Sequence, residues 1–532
     1  MRVRSSTDGV TWPAAAFPGL PGVTARLRNH VLGLVCEDGA VRDPCASRVL
    51  ESALALRLLE KTGLDTAFAH GLRGFLAAAR PVDGFERAVT RVALQHAPAL
   101  GTESGAAITA RVPGFTGPRK CAFVQALTCL WGGAPGEIDF GEAFQLTGLH
   151  SWARVQVTAV KVVLAASSGQ FEAICDEDVL LLLSTQRLAR VWEGNVLLHV
   201  WVLHALSFLP GTGRLILEGV RKLKLHQRPD GGLPFVTNLD TWCSATGGLA
   251  LVCAGADGER VTRIAGHLIE QQRPGGGWTG TDTMDQTDVD DTSVAIEFLH
   301  VLDGRAYRET IERGIRSLMA VRGTDGGFPT YLAGAPSEAG MTAAVTNALS
   351  VVDAAAHRDE IDAGLGFLAT AQNPDGSFPP GWSASGTYDV FRALLATRSQ
   401  ARSHSPKVDQ MAGRALAFVR THQHPDGGWG QHTGAASDPL STAYALIALS
   451  CQDDPAPAAR GFAYLRTHQL PDGRVISPPD AIGPRPFVYQ IPALASIFSL
   501  LALAHLDARI TPAARLCPQR SQEHRTVTGV DA

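Results

Sequence analysis

The chain has 532 residues, a formal net charge of −4 and a charged fraction of 18%. This length allows about two to four domains with large cores, and the charge offers no basic field for nucleic acid or an acidic membrane. The nine cysteines form no CxxC pair, which argues against a disulfide framework or zinc site and favours a reducing cytoplasm.

The first 215 residues are predicted to be mainly helical. Residues 1–19 are rich in Pro, Gly and Ala and are expected to form a disordered lead-in. Segments 23–36 and 47–64 carry leucine and valine at helical spacing. Apolar helical segments then alternate with Gly/Pro breaks as far as 209–213, the best candidate for a domain boundary. Because no stretch indicates a sheet, the predicted fold class is all-α.

Neither the N-terminus nor the apolar runs indicate a membrane protein. The first residues lack the apolar run of a signal peptide. The two longest apolar runs, 195–209 and 492–506, are interrupted by polar side chains and fall short of a bilayer span. We therefore expect a cytoplasmic protein without obligate membrane insertion.

From about residue 215 the sequence becomes repetitive. Six turn-like segments recur roughly every 50 residues, a period that fits two helices and two turns. Several contain Pro-Asp-Gly, in which Pro fixes φ, Asp bonds its own backbone and Gly takes positive φ. A Trp or Phe that follows can tie the turn to a neighbouring helix. The segments begin at Gln227, Gln272, Thr324, Gln372, His424 and Gln469.

The helix after each of four central turns shares one pattern, a Thr followed by a Leu seven residues later. These threonines are Thr292, Thr342, Thr387 and Thr442. Helix pairs repeated about six times suggest a closed ring. The inner helices would surround an apolar cavity and the outer helices would wrap them, which is an α-α barrel.

One repeat carries an acidic cluster, Asp288, Asp290 and Asp291. Carboxylates buried this close together raise one another's pKa, so one can keep a proton at neutral pH and act as a donor. The alternative is that Asp291 caps a helix and its neighbours form a solvated acidic turn. The equivalent positions of the other repeats lack three carboxylates, which favours chemistry. They hold Glu338, Gly340 and Met341, then Ser383, Ser385 and Gly386, then Asp438, Leu440 and Ser441.

The segment Asp288-Val289-Asp290-Asp291-Thr292 resembles the DxDD motif of class II terpene cyclases. The Gln-rich turns ending in Gly-Trp or Gly-Phe resemble the QW repeats of the squalene-hopene and class II diterpene cyclases. The resemblance covers about residues 215–506. The sequence departs from the pattern at Gly275, where Asp usually precedes the glycines, and at Asp472-Gly473, which no Trp follows.

The resemblance implies two α-α barrels, called β and γ, with the active site between them. Carried over, the β domain would comprise 20–38 plus 215–510, the γ domain would be an insertion at 39–214, and 511–532 would be a flexible tail. The sequence lacks a DDxxD motif. We therefore expect cyclisation to begin by protonation and the product to keep its diphosphate.

The resemblance also assigns roles to the acidic cluster. Asp290, the middle carboxyl, would protonate the terminal alkene, while Asp288 and Asp291 would position it and tune its acidity. A helix N-terminus here would stabilise the conjugate base. Aromatic faces would stabilise the cation, and the candidates are Trp242, Trp278, Trp382, Tyr388 and Tyr489, each of which could equally serve in packing.

A prenyl diphosphate substrate implies Mg²⁺ and basic groups. Glu193, in the segment Trp192-Glu193-Gly194-Asn195 that resembles the family's LEG-type segment, is the candidate metal-linked acid, and the alternative is a solvated helix-end glutamate. Arg485, in a Pro-Arg-Pro loop, is the candidate diphosphate ligand, and the alternative is a surface arginine. Lys222 and Lys224 are further candidates.

Three other functions stay open at this point. They are a squalene-hopene type triterpene cyclase, a prenyltransferase β-like barrel with zinc, and a non-catalytic binding module. An aromatic content of only 7% favours a shorter diphosphate substrate than a triterpene. The sequence does not distinguish the C15 substrate, farnesyl diphosphate, from the C20 substrate, geranylgeranyl diphosphate. It also leaves the ring stereochemistry, the terminating base and the oligomeric state open.

Overall fold

The computed structural model describes residues 11–81, 83–97, 100, 117–399, 402–483 and 485–510. These residues form twenty α-helices and two antiparallel pairs of very short strands, β1 (Ser47–Arg48) with β2 (Leu233–Pro234) and β3 (Ala481–Ile482) with β4 (Val488–Tyr489). The predicted all-α class is confirmed. The helices are, in chain order, α1 (Leu20–Gly33), α2 (Val49–Thr62), α3 (Thr66–Ala78), α4 (Gly84–Ala93), α5 (Gly117–Leu130), α6 (Ser151–Ser168), α7 (Asp176–Ser184), α8 (Val196–Leu206), α9 (Gly213–Lys224), α10 (Asp240–Cys253), α11 (Glu259–Gln271), α12 (Val289–Asp303), α13 (Arg308–Met319), α14 (Ala339–Asp353), α15 (Arg358–Ala371), α16 (Thr387–Ala396), α17 (Pro406–Thr421), α18 (Pro439–Leu449), α19 (Ala456–His468) and α20 (Ala493–Ile510).

Six helices close into an inner ring. Helices α10, α12, α14, α16, α18 and α20 each pack on the next, and α20 packs back on α10. The outer helices α11, α13, α15, α17 and α19 each cover the inner helix that precedes them, and α1 covers α20. Every residue of α18 is buried, whereas outer helices such as α11 bury one face only. The repeat therefore builds the predicted α-α barrel.

The glycine-containing turns fasten each repeat to the next outer helix. Gly276 has a φ of 94°, and a Cβ there would lie 2.3 Å from the carbonyl oxygen of Arg313 on α13. The Gln272 amide donates to the carbonyls of Gly276 and Thr310, at 2.7 and 2.9 Å. Equivalent paired bonds come from Gln372, Gln423 and Gln469.

The ring closes through the N-terminal helix. Gln469 of the last repeat donates to the carbonyl of Val23 on α1, and a Cβ on Gly473 would meet the carbonyl of Arg26 at 2.4 Å. Helix α1 thus serves as the outer helix of the last repeat. The barrel is assembled from both ends of the described chain.

The shared threonine holds the aromatic residue of the preceding turn. The Trp278 amide donates to Thr292 Oγ1 at 3.0 Å, and its indole donates to the Leu268 carbonyl at 2.6 Å. Trp429 makes the same two bonds, to Thr442 and Val419. The predicted tie between turn and helix is therefore present.

A second helical group is inserted between α1 and α10. Helix α2 packs on α3, α4 and α8, and α6 packs on α5, α7 and α8. The predicted boundary at residue 215 assigns most of α9 to the β domain. In the structure, α9 packs on α8 of the second group. The exact domain boundaries stay a prediction, and the tail 511–532 lies outside the described residues.

The predicted disordered lead-in is wrong for residues 11–19. Trp12 is 1% exposed and stacks on Phe17 at 5.7 Å between ring centroids. The Trp12 indole also donates to the carbonyl of Asp453 at 2.8 Å. Burial of two aromatic rings outweighs the local Pro/Gly composition, because each large ring removes much apolar surface from water.

Helix α20 is long and apolar enough to cross a membrane by composition alone. Its apolar window is 78% buried, and the helix belongs to the inner ring. Burial among neighbouring helices accounts for its composition, so its hydropathy is weak evidence for a membrane span.

The turn geometry predicts that alanine substitutions at two glycines ten positions apart affect stability differently. Gly276→Ala should lower the free energy of unfolding by roughly 2 kcal/mol or more, because positive φ and a backbone clash oppose a Cβ. Gly266→Ala, in α11 with open space around its Cβ, should be neutral or stabilising by up to about 1 kcal/mol. Thermal unfolding curves measure both, and equal midpoints would contradict this account of the turns.

Candidate active site

A cavity of about 840 Å³ lies between the inner ring and the second helical group. The ring contributes the beginnings of α10, α12, α14, α16 and α20, and the second group contributes α5, α6 and α8. The walls combine aromatic and aliphatic side chains with a few ionisable groups. Such a cavity can hold an elongated hydrocarbon and position polar groups at defined points along it.

All three carboxylates of the acidic cluster line this cavity. Asp288 is the N-cap of α12, and its Oδ1 accepts the Asp291 amide at 2.8 Å. Asp291 is 5% exposed, and its own Oδ1 has no hydrogen-bond partner. The cap is therefore Asp288 rather than Asp291, and the cluster is an enclosed group rather than a solvated turn.

Asp290 is held by two side chains of α16. Tyr388 donates its hydroxyl to Asp290 Oδ2 at 2.9 Å, and Arg392 Nη2 donates to Oδ1 at 2.8 Å. Arg392 also donates to the Tyr388 oxygen at 2.8 Å. Sequence reasoning missed Arg392. The available signal was an arginine one helical turn after Tyr388 in the same helix.

Burial raises the pKa of all three carboxyls. The pKa of Asp288 rises to about 6, mainly through burial and against its hydrogen bonds with Asp291. Burial and the charge of Asp288 hold the pKa of Asp291 well above its usual value. Burial also raises the pKa of Asp290, opposed by the Arg392 charge and the Tyr388 hydroxyl. Burial therefore favours the protonated form of all three carboxyls, and Asp290 is the one whose anion would have a guanidinium and a hydroxyl as partners.

Four of the five predicted aromatic residues line the cavity, namely Trp242, Trp382, Tyr388 and Tyr489. Tyr388 makes edge contacts with Phe391 and Tyr444, with centroids 5.3 and 5.0 Å apart. Other aromatic residues of the lining were missed, because their spacing indicates only core packing. They are Phe123, Phe144, His150, Trp152, Phe235, Tyr331, Phe367, Tyr444 and Phe498.

Trp278 is the predicted aromatic residue that the structure does not place at the cavity. Its ring is fully buried, and its indole N–H is bonded to Leu268 in the turn. The side chain therefore has a packing role, and the predicted contact with substrate is wrong. Trp278 follows a glycine turn, and its two hydrogen bonds tie that turn to the neighbouring helices.

Arg485 lies in the cavity wall rather than on a surface loop, and it stays a candidate ligand of the diphosphate. It forms an ion pair with Glu338, and its guanidinium sits over the Trp382 ring at 4.2 Å from the centroid. The two weaker candidates lie elsewhere, since Lys222 donates to the Gln186 carbonyl and Lys224 pairs with Asp65.

Two cations that sequence reasoning missed face the same cavity from α5. They are Arg119 and Lys120. Burial lowers the pKa of Lys120 to about 7, with smaller contributions from the charges of Arg48 and Arg485. The Lys120 ammonium has no hydrogen bond or ion pair within the described part of the chain. Together with Arg485 it offers positive charge to an anionic ligand.

Glu193 is buried beside the cavity wall. Its carboxylate accepts the Ser151 hydroxyl at 3.1 Å, and burial raises its pKa to about 7. It is not among the cavity-lining residues, and the described ranges contain no group of three His, Cys, Asp or Glu side chains that could hold a metal. Glu193 and its surroundings therefore do not fit a resident metal site. The burial of Glu193 also excludes the alternative that it is a solvated helix-end glutamate.

Known proteins resemble this chain over about nine-tenths of its length. The model of the squalene-hopene cyclase C-terminal domain matches residues 270–508. A drimenyl diphosphate synthase of Streptantibioticus cattleyicolor is 39% identical over 501 residues, which are 90% of this chain and 93% of that protein. A drimenyl diphosphate synthase of Streptomyces showdoensis is 36% identical over 506 residues, covering 92% and 95%.

A solved structure shows the shared fold. The ent-copalyl diphosphate synthase of Streptomyces platensis aligns with a TM-score of 0.56 and 18% identity, over 92% of this chain and all of that one. Sequence similarity to the two synthases extends over nine-tenths of the chain, and the acid motif lies in the wall of the cavity. The chain belongs to the class II terpene cyclases, enzymes that start cyclisation by protonation.

Proposed function

We propose that this enzyme protonates the terminal alkene of farnesyl diphosphate and closes it to a drimane-type bicyclic diphosphate. The observation that carries the proposal is the buried acidic cluster in the wall of an apolar cavity. The C15 choice is supported by the two drimenyl diphosphate synthases that the chain resembles. Geranylgeranyl diphosphate, which would give a labdane-type product, is the second candidate and an outcome of the assay.

Asp290 donates the proton. Its O–H bond breaks, a C–H bond forms at the terminal alkene, and a tertiary cation remains. An acid must leave a stable anion, and the Asp290 anion would be held by Arg392 and Tyr388. An Asp291 anion would lie beside Asp288, and no cation among the described residues contacts Asp291. We therefore assign the donor role to Asp290, the middle carboxyl of the motif.

Asp288 and Asp291 position the donor. Asp288 fixes the first turn of α12 through the bond to the Asp291 amide. A protonated Asp291 lowers the negative charge of the cluster, so the new Asp290 anion does not face two other anions. Because Asp290 lies in the first turn of α12, the helix dipole adds to its stabilisation.

Aromatic rings line the route of the cation. Trp242, Tyr388, Tyr444 and Phe498 surround the cavity near the acid. The faces of such rings attract a cation, by about 0.5–1 kcal/mol where exposed and about 2 kcal/mol where water is excluded. The apolar wall also keeps water from quenching the cation.

The diphosphate binds at the cationic wall formed by Arg119, Lys120 and Arg485. Arg485 would exchange part of its pairing with Glu338 for phosphate oxygens. A diphosphate would also raise the Lys120 pKa, because an anion favours the charged ammonium. We propose that Mg²⁺ arrives with the diphosphate, since this ion is commonly held by substrate phosphates and water with few protein ligands.

Family membership argues against the prenyltransferase and binding-module alternatives. The triterpene alternative is disfavoured because the cationic wall would have no anionic partner in a hydrocarbon substrate. A cytoplasmic location is part of the proposal, and it is supported by the eight described cysteines, which are all free thiols.

Asp290→Asn should fold normally and lose cyclisation by at least about 10⁴-fold, because the amide has no acidic proton. Asp288→Asn and Asp291→Asn should be slower than the wild type yet retain activity. The assay is mass spectrometry of the dephosphorylated product from farnesyl or geranylgeranyl diphosphate, with a melting curve as folding control. A folded Asp290→Asn enzyme with near wild-type turnover would place the acid elsewhere.

Arg392→Met should change the pH dependence of turnover. The acid form of Asp290 is required, so activity falls as pH rises through its pKa. Removing the opposite charge should raise that pKa further and move the alkaline limb to higher pH. The maximal rate should fall roughly 10²-fold, because the conjugate base loses its partner. Profiles of kcat/KM against pH measure this shift. An alkaline limb that does not move would contradict an influence of Arg392 on the pKa of the acid.

Arg485→Ala and Lys120→Met should each raise KM about tenfold or more and lower kcat less, because both residues contact the unreactive diphosphate. Lys224→Ala is the matched control, since that lysine pairs with Asp65 away from the cavity. Steady-state kinetics with farnesyl diphosphate measure the effect. An unchanged KM in either cavity variant removes that residue from the diphosphate site.

Chelation with EDTA should lower turnover, and added Mg²⁺ should restore it. The melting temperature without substrate should be the same with EDTA and with Mg²⁺, because the described residues form no metal cluster. A rise in melting temperature with Mg²⁺ alone would instead indicate a resident metal site.

A further inference from the structure

Asp389 is a cavity-lining carboxyl that the protonation step does not use. It follows Tyr388 on α16, is only 9% exposed and lines the cavity. Its Oδ1 is buried without a partner, and no hydrogen bond to either of its oxygens is found within the described ranges. A buried, unsatisfied carboxyl is costly, and in an active-site wall it indicates a functional role.

Two glycines leave the space that this carboxyl occupies. A Cβ on Gly340 would lie 2.3 Å from Asp389 Oδ1, and a Cβ on Gly381 would lie 2.7 Å from Oδ2. Gly340 belongs to the first turn of α14, where its backbone needs no positive φ. The space beside Gly340 and Gly381, here called the notch, therefore holds the Asp389 carboxyl. A side chain at either glycine would displace that carboxyl.

Charged groups at both ends of the cavity act on Asp389. Burial raises its pKa to about 7, and the charges of Glu338 and Asp290 act in the same direction, while those of Arg485 and Arg392 oppose them. Asp290 and Arg392 belong to the acid end, and Glu338 and Arg485 belong to the diphosphate end. Near neutral pH the group can therefore accept a proton.

We propose that Asp389 is the base that ends the cyclisation. The last tertiary cation loses a proton from an adjacent carbon: the C–H bond breaks, its electron pair becomes the alkene, and the proton binds a carboxylate oxygen of Asp389. The acid gives one proton and the base takes one, so substrate and product are isomers. This inference rests on the proposed function.

Proton donation by Asp290 prepares Asp389 for this role. The negative charge left on Asp290 increases the proton affinity of the neighbouring carboxylate. Other carboxyls of the described wall are less suited as acceptors. Asp480 already accepts four donors, from Ser383, Ser385 and Tyr444, and Glu338 is paired with Arg485.

The test is Asp389→Asn, which keeps the size of the side chain and removes its basicity. Substrate consumption should stay within about tenfold of the wild type, because Asp290 still starts the reaction. At least half of the product should change to other alkene isomers or to an alcohol formed by water capture. The readout is gas chromatography with mass spectrometry after dephosphorylation, with a melting curve as folding control.

Gly340→Ala tests the same inference without altering the carboxyl chemically, because its Cβ must push Asp389 aside. It should shift the products in the same direction as Asp389→Asn. Gly366→Ala is the matched control, since its Cβ on α15 would meet nothing within 4 Å. That variant should give the wild-type product.

Three results would overturn the proposal. The first is wild-type product from both Asp389→Asn and Gly340→Ala. The second is loss of all consumption in folded Asp389→Asn, which would place the residue in the protonation step. The third is a product change in His150→Phe with none in Asp389→Asn, which would assign the base to the imidazole that also lines the cavity. Failure of the wild type to cyclise either prenyl diphosphate would refute the proposed function itself.

Discussion

The ion pair between Asp290 and Arg392 is the interaction on which the account of this active site depends. It joins α12 and α16, two inner helices separated by α14, across the wall of a largely apolar cavity. Charges buried in such a place are costly unless they are paired. Burial favours the protonated carboxyl, and the pair favours its anion, so the same arrangement can hold a proton and stabilise the base that remains.

The barrel holds Asp290 and Arg392 at fixed positions. Each repeat is fastened by a glutamine amide and a positive-φ glycine to the next outer helix, and α1 completes the circle. Asp290 and Gly340 hold equivalent positions in successive repeats, and both line the cavity. One repeat therefore places an acid in the cavity wall, and the next leaves space for the Asp389 carboxyl.

The sequence was sufficient to predict the barrel and the acid motif, because turns, helical spacing and the Asp288–Asp291 cluster are local patterns. It was insufficient for Arg392, which lies 102 positions from Asp290, and for Lys120, which comes from the inserted group. Those contacts depend on how the ring closes. Trp278 was misassigned because a turn aromatic can face either the cavity or the core, and only packing decides between them.

Cyclisation in D₂O tests the central claim most directly. Between turnovers the acid exchanges its proton with solvent, so protonation of the terminal alkene should deliver one deuterium to a ring carbon. The account predicts a bicyclic diphosphate one mass unit heavier than the product formed in H₂O, with the diphosphate still attached. A cyclised product without deuterium, or one that has lost its diphosphate in the same step, would show ionisation by another route and contradict the assignment of Asp290 as the acid.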